Sequence, residues 1–419
     1  MVNGLLPPGG ARAVARCDLL GRDPFTDEAG LLFRPWLGPG YHATIEALSA
    51  WMREAGMTVR RDAAATLIGR YEGTTPDAPA LLIGSHVDSV RDAGNYDGML
   101  GVVIGIELVE RLNAQGKRFP FAIEVVGFGD EEGSRFPETM ISTRALAGVL
   151  DDSNLHELRD RDGILLSTAL LTAGLTVPGL NRARRDPATV LAWIEAHIEQ
   201  GPVLEAEGQA LGVVTAIAAQ RRYEVKLHGR AGHSGTMAMP LRHDALAAAA
   251  EMILAVENAT ADGPDGLVGT VGALRVWPGV VNVVPGDVVF SIDVRAGTDD
   301  IRNRAADRIT DAIREISARR GVTAEIILRQ ELPAVHCDPA LDRLLGQAVR
   351  EVTGTAERRL VSGAGHDAMI MAHLTPVSML FIRCREGISH NPEESVMDTD
   401  VELAIAALER FVTLYEETP

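Results

Sequence analysis

The spacing of apolar residues divides this chain into helical and extended stretches. Over residues 41–55, Ile45, Leu48, Met52 and Ala55 fall at helical spacing, and Gly56 follows as a natural terminator. The run Leu81-Leu82-Ile83 leads into Gly84-Ser85-His86 and predicts a buried strand. From Gly98 to Gly116 the apolar positions Val102, Ile106, Val109 and Leu112 return at helical period. A second strand, Ala122 to Phe128, then runs into Gly129-Asp130-Glu131-Glu132-Gly133. Strand, helix and strand at this spacing form a βαβ unit, so the sheet is expected to be at least partly parallel. Ligands of open parallel sheets bind beyond the carboxyl ends of the strands, where both polar clusters fall.

Residues 221–330 have another rhythm. Tyr223, Val225 and Leu227 alternate with polar residues, a helical stretch covers 243–257, and Val268 to Trp277 and Val288 to Val294 read as strands. A helix over 299–320 and a strand from Val322 to Leu328 complete the order β-α-β-β-α-β, the ferredoxin-like arrangement of a compact α+β domain. Afterwards the chain returns to a helix (339–353), a buried strand from Val377 to Arg383 and a closing helix from Ala406 to Tyr415. The expected class is therefore α/β with an inserted α+β domain: residues 1–214 and 331–419 form the main domain and 215–330 the insertion. The stretch 151–187 is polar without clear periodicity, and no repeat or low-complexity tract is present.

Composition narrows the function. Of 419 residues, 58 are Asp or Glu and 40 Lys or Arg, and the net charge of −18 argues against a nucleic-acid or anionic-membrane partner. The 46% hydrophobic content suffices for more than one core. Three scattered cysteines, Cys17, Cys337 and Cys384, are too few for a disulfide framework and suggest a reducing compartment. The first twenty residues lack the apolar core and cleavage site of a secretory signal, and no run approaches the roughly 18 apolar residues of a membrane helix, so a cytoplasmic protein is expected.

Five segments carry the candidate chemistry: Gly84 to Ser89, Asn95 to Gly98, Asp130 to Gly133 and Ile388 to Asn391, all read as strand ends, and Ala196 to Gly201. Three imidazoles (His86, His197, His390) with the carboxylates Asp97 and Glu132 would complete a site for two divalent ions about 3.5–4 Å apart, which lower the pKa of a shared water from 15.7 towards about 7. Glu131, beside Glu132, is left to move the water's proton to the leaving nitrogen. Asp88 is spaced to hydrogen-bond the other nitrogen of a ligating His86. Each segment alone is better explained by a solvated or structural role; their combination carries the reading.

The segments GSHVDSVRDAGNYDGMLGV (84–102), DEEGSRF (130–136), HIEQGPVLE (197–205), GRAGHSGTMAMPLRHDA (229–245), GVVNVVPG (279–286), SGAGHDAM (362–369) and MLFIRCREGISHNPEE (379–394) resemble the amidase, hydantoinase and carbamoylase group of the dinuclear zinc-peptidase superfamily. The resemblance implies a zinc-exopeptidase-like catalytic domain with a mostly parallel sheet, and an inserted domain that serves dimerisation and closure. It implies His86, Asp97 and His197 around one ion, Asp97, Glu132 and His390 around the other, and Glu131 as general base. The ions are zinc or manganese, with cobalt or nickel also suited to these ligands. The resemblance further implies substrate contacts from His233, Asn282 and Arg295, from Gln200, and from the backbone around Ser362 and Gly363. Family members are homodimers in which His233 and Asn282 reach the neighbouring subunit's site. Arg295 suits a carboxylate, and His233 and Asn282 suit a developing oxyanion. The less favoured readings are Arg295 as a structural ion-pair partner and His233 as a turn residue. His366 and Asp367 have no assigned chemical role and read as supporting, structural residues, and His243 and Asp244 read as a helix start. GTMAMP (235–240) departs from the pattern usual in relatives, which puts that loop's position in doubt.

The segments named, with Gln220-Arg221-Arg222, look most like those of allantoate amidohydrolases. The expected substrate is a small ureido carboxylate. N-carbamoyl-L-amino acid hydrolase and β-ureidopropionase are alternatives that share the mechanism, and a dinuclear metallopeptidase is a more distant one.

Overall fold

The computed structural model describes residues 6–264 and 266–417; residues 1–5, 418 and 419 of the expected main domain lie outside them. The chain divides into two compact units: Met1–Thr215 with Cys337–Arg359 and His366–Pro419, and Ala216–His336 with Leu360–Gly365. The second unit differs from the expected 215–330 insertion by running on to His336 and by reclaiming Leu360–Gly365, which contains Ser362 and Gly363.

In the first unit the sheet order is Thr58–Arg61, Leu67–Tyr71, Ala122–Phe128, Ala80–His86, Val190–Ile198, Val377–Ile382 and Leu211–Ile217. The four strands from Ala122–Phe128 to Val377–Ile382 are mutually parallel, while the flanking pairs are antiparallel. The sheet is thus mixed rather than mostly parallel. Ala80–His86 and Ala122–Phe128 are buried at every residue, as strands covered on both faces must be. The helix Met99–Ala114 is buried nearly all round. Val190–Ile198 was not predicted as a strand; its buried Glu195 and His197 break the apolar run. The helix Gly10–Leu20 was also not predicted, because its inward face carries Arg12 and Arg16. Both meet the buried Glu107, at 2.8 and 2.7 Å. The segment 151–187 holds only short helical turns, the longest being Leu166–Thr172.

The second unit is an antiparallel sheet in the order Leu274–Trp277, Asp287–Ala296, Ala219–His228, Thr323–Leu332. Along Asp287–Ala296, Val288, Phe290, Ile292, Val294 and Ala296 are buried. They form one core with Ala248, Met252, Ile309 and Ile313 of the helices Ala245–Thr260 and Asp299–Arg320. Asp244 and Thr298 cap these helices by accepting backbone N–H groups. The expected strand Val268 to Trp277 is split into Val268–Thr270 and Leu274–Trp277. Both halves pair with Asp287–Ala296, and at the break the Ala273 N–H is satisfied by the Ser291 hydroxyl (3.0 Å). No helix among the described residues is long and apolar enough to cross a membrane.

Candidate metal centre

His86 ends one parallel strand and His197 stands near the end of its neighbour, so the two rings face each other with centroids 5.7 Å apart. Asp97 comes from a turn, not from a strand end. The Met99 N–H donates to the Asp97 carbonyl at 2.6 Å across Gly98, whose φ of 64° and ψ of −53° make a tight positive-φ γ-turn at the start of Met99–Ala114. A Cβ on Gly98 would lie 2.3 Å from the His86 ring, so only glycine lets the turn approach that closely. Glu131 and Glu132 follow Ala122–Phe128, and His390 lies eight residues past Val377–Ile382 with φ 54°.

Asp97 joins these pieces. Its Oδ1 is 3.1 Å from His197 Nε2 and 3.7 Å from His86 Nε2, and its Oδ2 is 3.0 Å from His390 Nε2, which is 3.4 Å from Glu132. His86, Asp97 and His197 offer one convergent ligand set, and Asp97, Glu132 and His390 a second sharing the same carboxylate. The chemistry of the donors fits cations. The Nδ1 of His86 faces the Asp88 carbonyl at 3.1 Å and that of His197 the Ile198 carbonyl at 2.9 Å. A carbonyl only accepts, so each Nδ1 carries the proton and each Nε2 turns a lone pair towards Asp97. A lone pair facing a carboxylate is favourable when a cation lies between them.

The surrounding charge points the same way. Burial pushes the Glu131 carboxyl well above the usual range, and Glu132, Asp367 and Asp88 push it further. Burial and Asp97 bring Glu132 up to about 7. Burial opposes ionisation of Asp97 too, yet the imidazoles of His197, His390 and His86 hold its carboxyl well below the usual range when they carry the positive charge that a cation would otherwise supply. So many carboxylates in one buried pocket ionise together only with positive charge among them, which divalent ions supply.

Two of the expected residues have further partners. Asp88 meets His86 Nδ1 with its carboxylate at 3.5 Å and, more closely, with its backbone carbonyl at 3.1 Å. Its carboxylate also accepts the N–H groups of Glu131 (3.1 Å) and Glu132 (3.2 Å) and so fixes the loop carrying both. Gln200 donates to Asp97 Oδ2 at 2.9 Å and to Ser389 Oγ at 3.2 Å, beside the metal ligands. Sequence reasoning missed Glu195 and left His366 and Asp367 unassigned. Glu195 accepts from Ser85 (2.9 Å), Trp193 (3.2 Å) and the Ala368 N–H (2.9 Å), tying the strands of His86 and His197 to the helix Asp367–Met371. His366 packs edge-on against His197 at 4.5 Å, and Asp367 accepts the Thr143 hydroxyl. Trp193-Ile-Glu-Ala-His197, with a polar residue at every second position of a buried strand, was the available signal.

The remaining predicted residues belong to the second unit. His233 pairs with Val283, and the Ser234 N–H donates to the Asn282 carbonyl at 3.0 Å, so His233 and Asn282 share one short exposed ladder. Arg295 places Nε and Nη2 on Asp293 at 3.1 and 2.9 Å and Nη1 on the Gly363 carbonyl at 2.6 Å. The Ser362 carbonyl accepts the Ala218 N–H at 2.9 Å. Arg295 and Gly363 border a cavity of about 670 Å³ on the sheet face opposite the helices, with Arg222, Arg275, Ser291 and Asp293.

The model of peptidase family M20/M25/M40 matches residues 82–414. Over 418 residues the chain is 39% identical to allantoate deiminase 1 of Glycine max, covering 93% of this chain and 86% of that protein. It is 40% identical over 371 residues to N-carbamoyl-L-amino acid amidohydrolase of Geobacillus stearothermophilus, with 88% and 90% covered. Among solved structures, an amidase of the hydantoinase/carbamoylase family from Burkholderia multivorans superposes with a TM-score of 0.89 at 32% identity, covering 99% of both chains.

Proposed function

The chain belongs to peptidase family M20/M25/M40 and is a hydrolase acting on C–N bonds, and on that premise we propose that it cleaves the ureido C–N bond of allantoate to give ureidoglycine, ammonia and carbon dioxide. His86, Asp97 and His197 hold one divalent ion, and Asp97, Glu132 and His390 hold the other. Zinc or manganese suits these ligands, as do cobalt and nickel. When bound, the ions acidify a water and polarise the ureido carbonyl. Glu131, whose carboxyl burial raises above the usual carboxylate range, takes the proton of the attacking water and delivers it to the leaving nitrogen. The Asp88 carboxylate keeps the loop of Glu131 and Glu132 in place through two backbone N–H groups. His233 and Asn282 stabilise the oxyanion.

The observation that carries the substrate reading is a polar cluster in the second unit. Gln220, Arg222 and Arg295 all donate to Asp293, at distances between 2.9 and 3.2 Å. The guanidinium groups of Arg222, Arg275 and Arg295, which line the cavity beside apolar Val268, Val289 and Ile292, offer donors to the carbonyl of a second ureido arm. Three of the five N–H groups of Arg295 are engaged, which leaves two for the substrate carboxylate. The reading extends to a homodimer through the second unit, in which His233 and Asn282 serve the neighbouring subunit. Exposed Met239, Leu241, Trp277, Val280 and Val281 around them support it. The free, buried Cys17, Cys337 and Cys384 support a reducing compartment such as the cytoplasm.

Ammonia release by metal-reconstituted protein tests the proposal, comparing kcat/KM for allantoate with N-carbamoyl-L-amino acids and N-carbamoyl-β-alanine. Allantoate is expected to lead, and Glu131→Gln to lose activity while keeping its metal. A preference for a carbamoyl amino acid refutes the substrate but keeps the mechanism. Full activity of Glu131→Gln refutes the mechanism.

A further inference from the structure

The segment that carries His390 also carries a carboxylate with no role in the chemistry above. Glu394, four residues on, is 4% exposed. Its Oε1 accepts the backbone N–H of Tyr96 at 2.8 Å and of Asp97 at 3.1 Å, and its Oε2 accepts the Ser389 hydroxyl at 3.0 Å. Ser389 lies next to His390 and is 3.1 Å from Asp97 Oδ2, the oxygen that also receives the Gln200 amide. The Asp97 turn packs directly on this side chain, since a Cβ on Gly94 would lie 2.2 Å from that of Glu394. One buried carboxylate therefore joins the turn that presents Asp97 to the loop that presents His390.

We propose that Glu394, acting with Ser389, is the positioning residue that sets the half of the centre formed by Asp97 Oδ2, Glu132 and His390. The claim rests on the two-ion reading given above. The two halves are built differently. His86 and His197 come from hydrogen-bonded neighbouring strands, and the sheet fixes their separation. His390 comes from a loop beyond the last parallel strand, is half exposed at 48%, and has positive φ. No strand pairing holds it against Asp97, and the Glu394 clamp takes that part. Losing the clamp loosens His390 relative to Asp97 and leaves the half with His86 and His197 in place.

The experiment is titration of Mn²⁺ into the chelator-stripped full chain, following free Mn²⁺ by its paramagnetic resonance. Wild type is expected to take two ions per chain. In Glu394→Ala one of the two sites is expected to lose about 10–100-fold in affinity, and the other to stay within about threefold. Glu394→Gln keeps an amide oxygen for the Tyr96 and Asp97 N–H groups, so it should restore most of the loss. Ser389→Ala, a milder change, should weaken the same site and serves if Glu394→Ala does not fold. Equal weakening of both sites, no weakening, or a Gln variant as poor as Ala overturns the proposal while the two-ion reading stands. A wild-type chain that binds fewer than two ions overturns that reading and the clamp with it.

Discussion

Gly98→Ala puts the assembly of the centre to a direct test. Its methyl group would lie 2.3–2.4 Å from three atoms of the His86 ring, where ordinary contact begins at 3.4 Å. Either the imidazole retreats by about 1 Å or the turn carrying Asp97 moves, and misplacement on that scale costs on the order of 100-fold in rate. The γ-turn backbone, at φ 64° and ψ −53°, adds a cost of about 1–3 kcal/mol for a residue with a Cβ. Gly116→Ala separates the two effects, because Gly116 has nearly the same φ, 66°, with nothing within 4 Å of its added Cβ. Thermal unfolding of the metal-free chains should show both variants destabilised, with Tm lower by a few degrees. Metal titration and steady-state rates should then separate them: Gly98→Ala weakens the site of His86 and His197 and loses about 100-fold in kcat/KM, while Gly116→Ala keeps wild-type values of both. A Gly98→Ala enzyme within threefold of wild type, or an equal loss in Gly116→Ala, would refute the idea that this contact sets the centre.

Three further outcomes concern the second unit. Arg295→Ala should raise KM by about 10–100-fold, the loss of a charge-assisted bidentate contact, with metal content unchanged by elemental analysis; depleted metal would show that Arg295 acts on the centre instead. Val281→Asp should shift sedimentation from dimer to monomer. Mixing inactive Glu131→Gln and His233→Ala chains should regain up to about a quarter of wild-type activity if sites are shared between subunits, and none if each subunit is self-contained.

The unequal legibility of the chain has a physical basis. Where one face or both faces of an element are uniformly apolar, the period is visible in sequence: Ala122–Phe128, Asp299–Arg320 and Pro339–Thr353 lie where the apolar pattern and its flanking turn residues put them. Elements that bury charge were not visible. Val190–Ile198 hides Glu195 and His197 inside the sheet, and Gly10–Leu20 turns Arg12 and Arg16 inward onto Glu107. Such residues read as solvent-facing until their partners are known. The partners lie far along the chain, 95 residues away for Arg12 and Glu107 and 297 for Asp97 and Glu394.

The candidate site divides in the same way. The sequence by itself determined the ligand types, their order and their neighbourhood to turns, because imidazole and carboxylate chemistry can be read from residue identity. Only the tertiary structure decided how they meet. It puts Asp97 in a γ-turn rather than at a strand end, ties Asp88 to the loop of Glu131 and Glu132 as well as to His86, turns Gln200 towards Asp97, and returns Leu360–Gly365 to the second unit. Those outcomes depend on which donor each carboxylate oxygen reaches, a difference of a few tenths of an ångström set by strand register, turn geometry and the missing Cβ of Gly98, and no periodicity along the chain carries that distance.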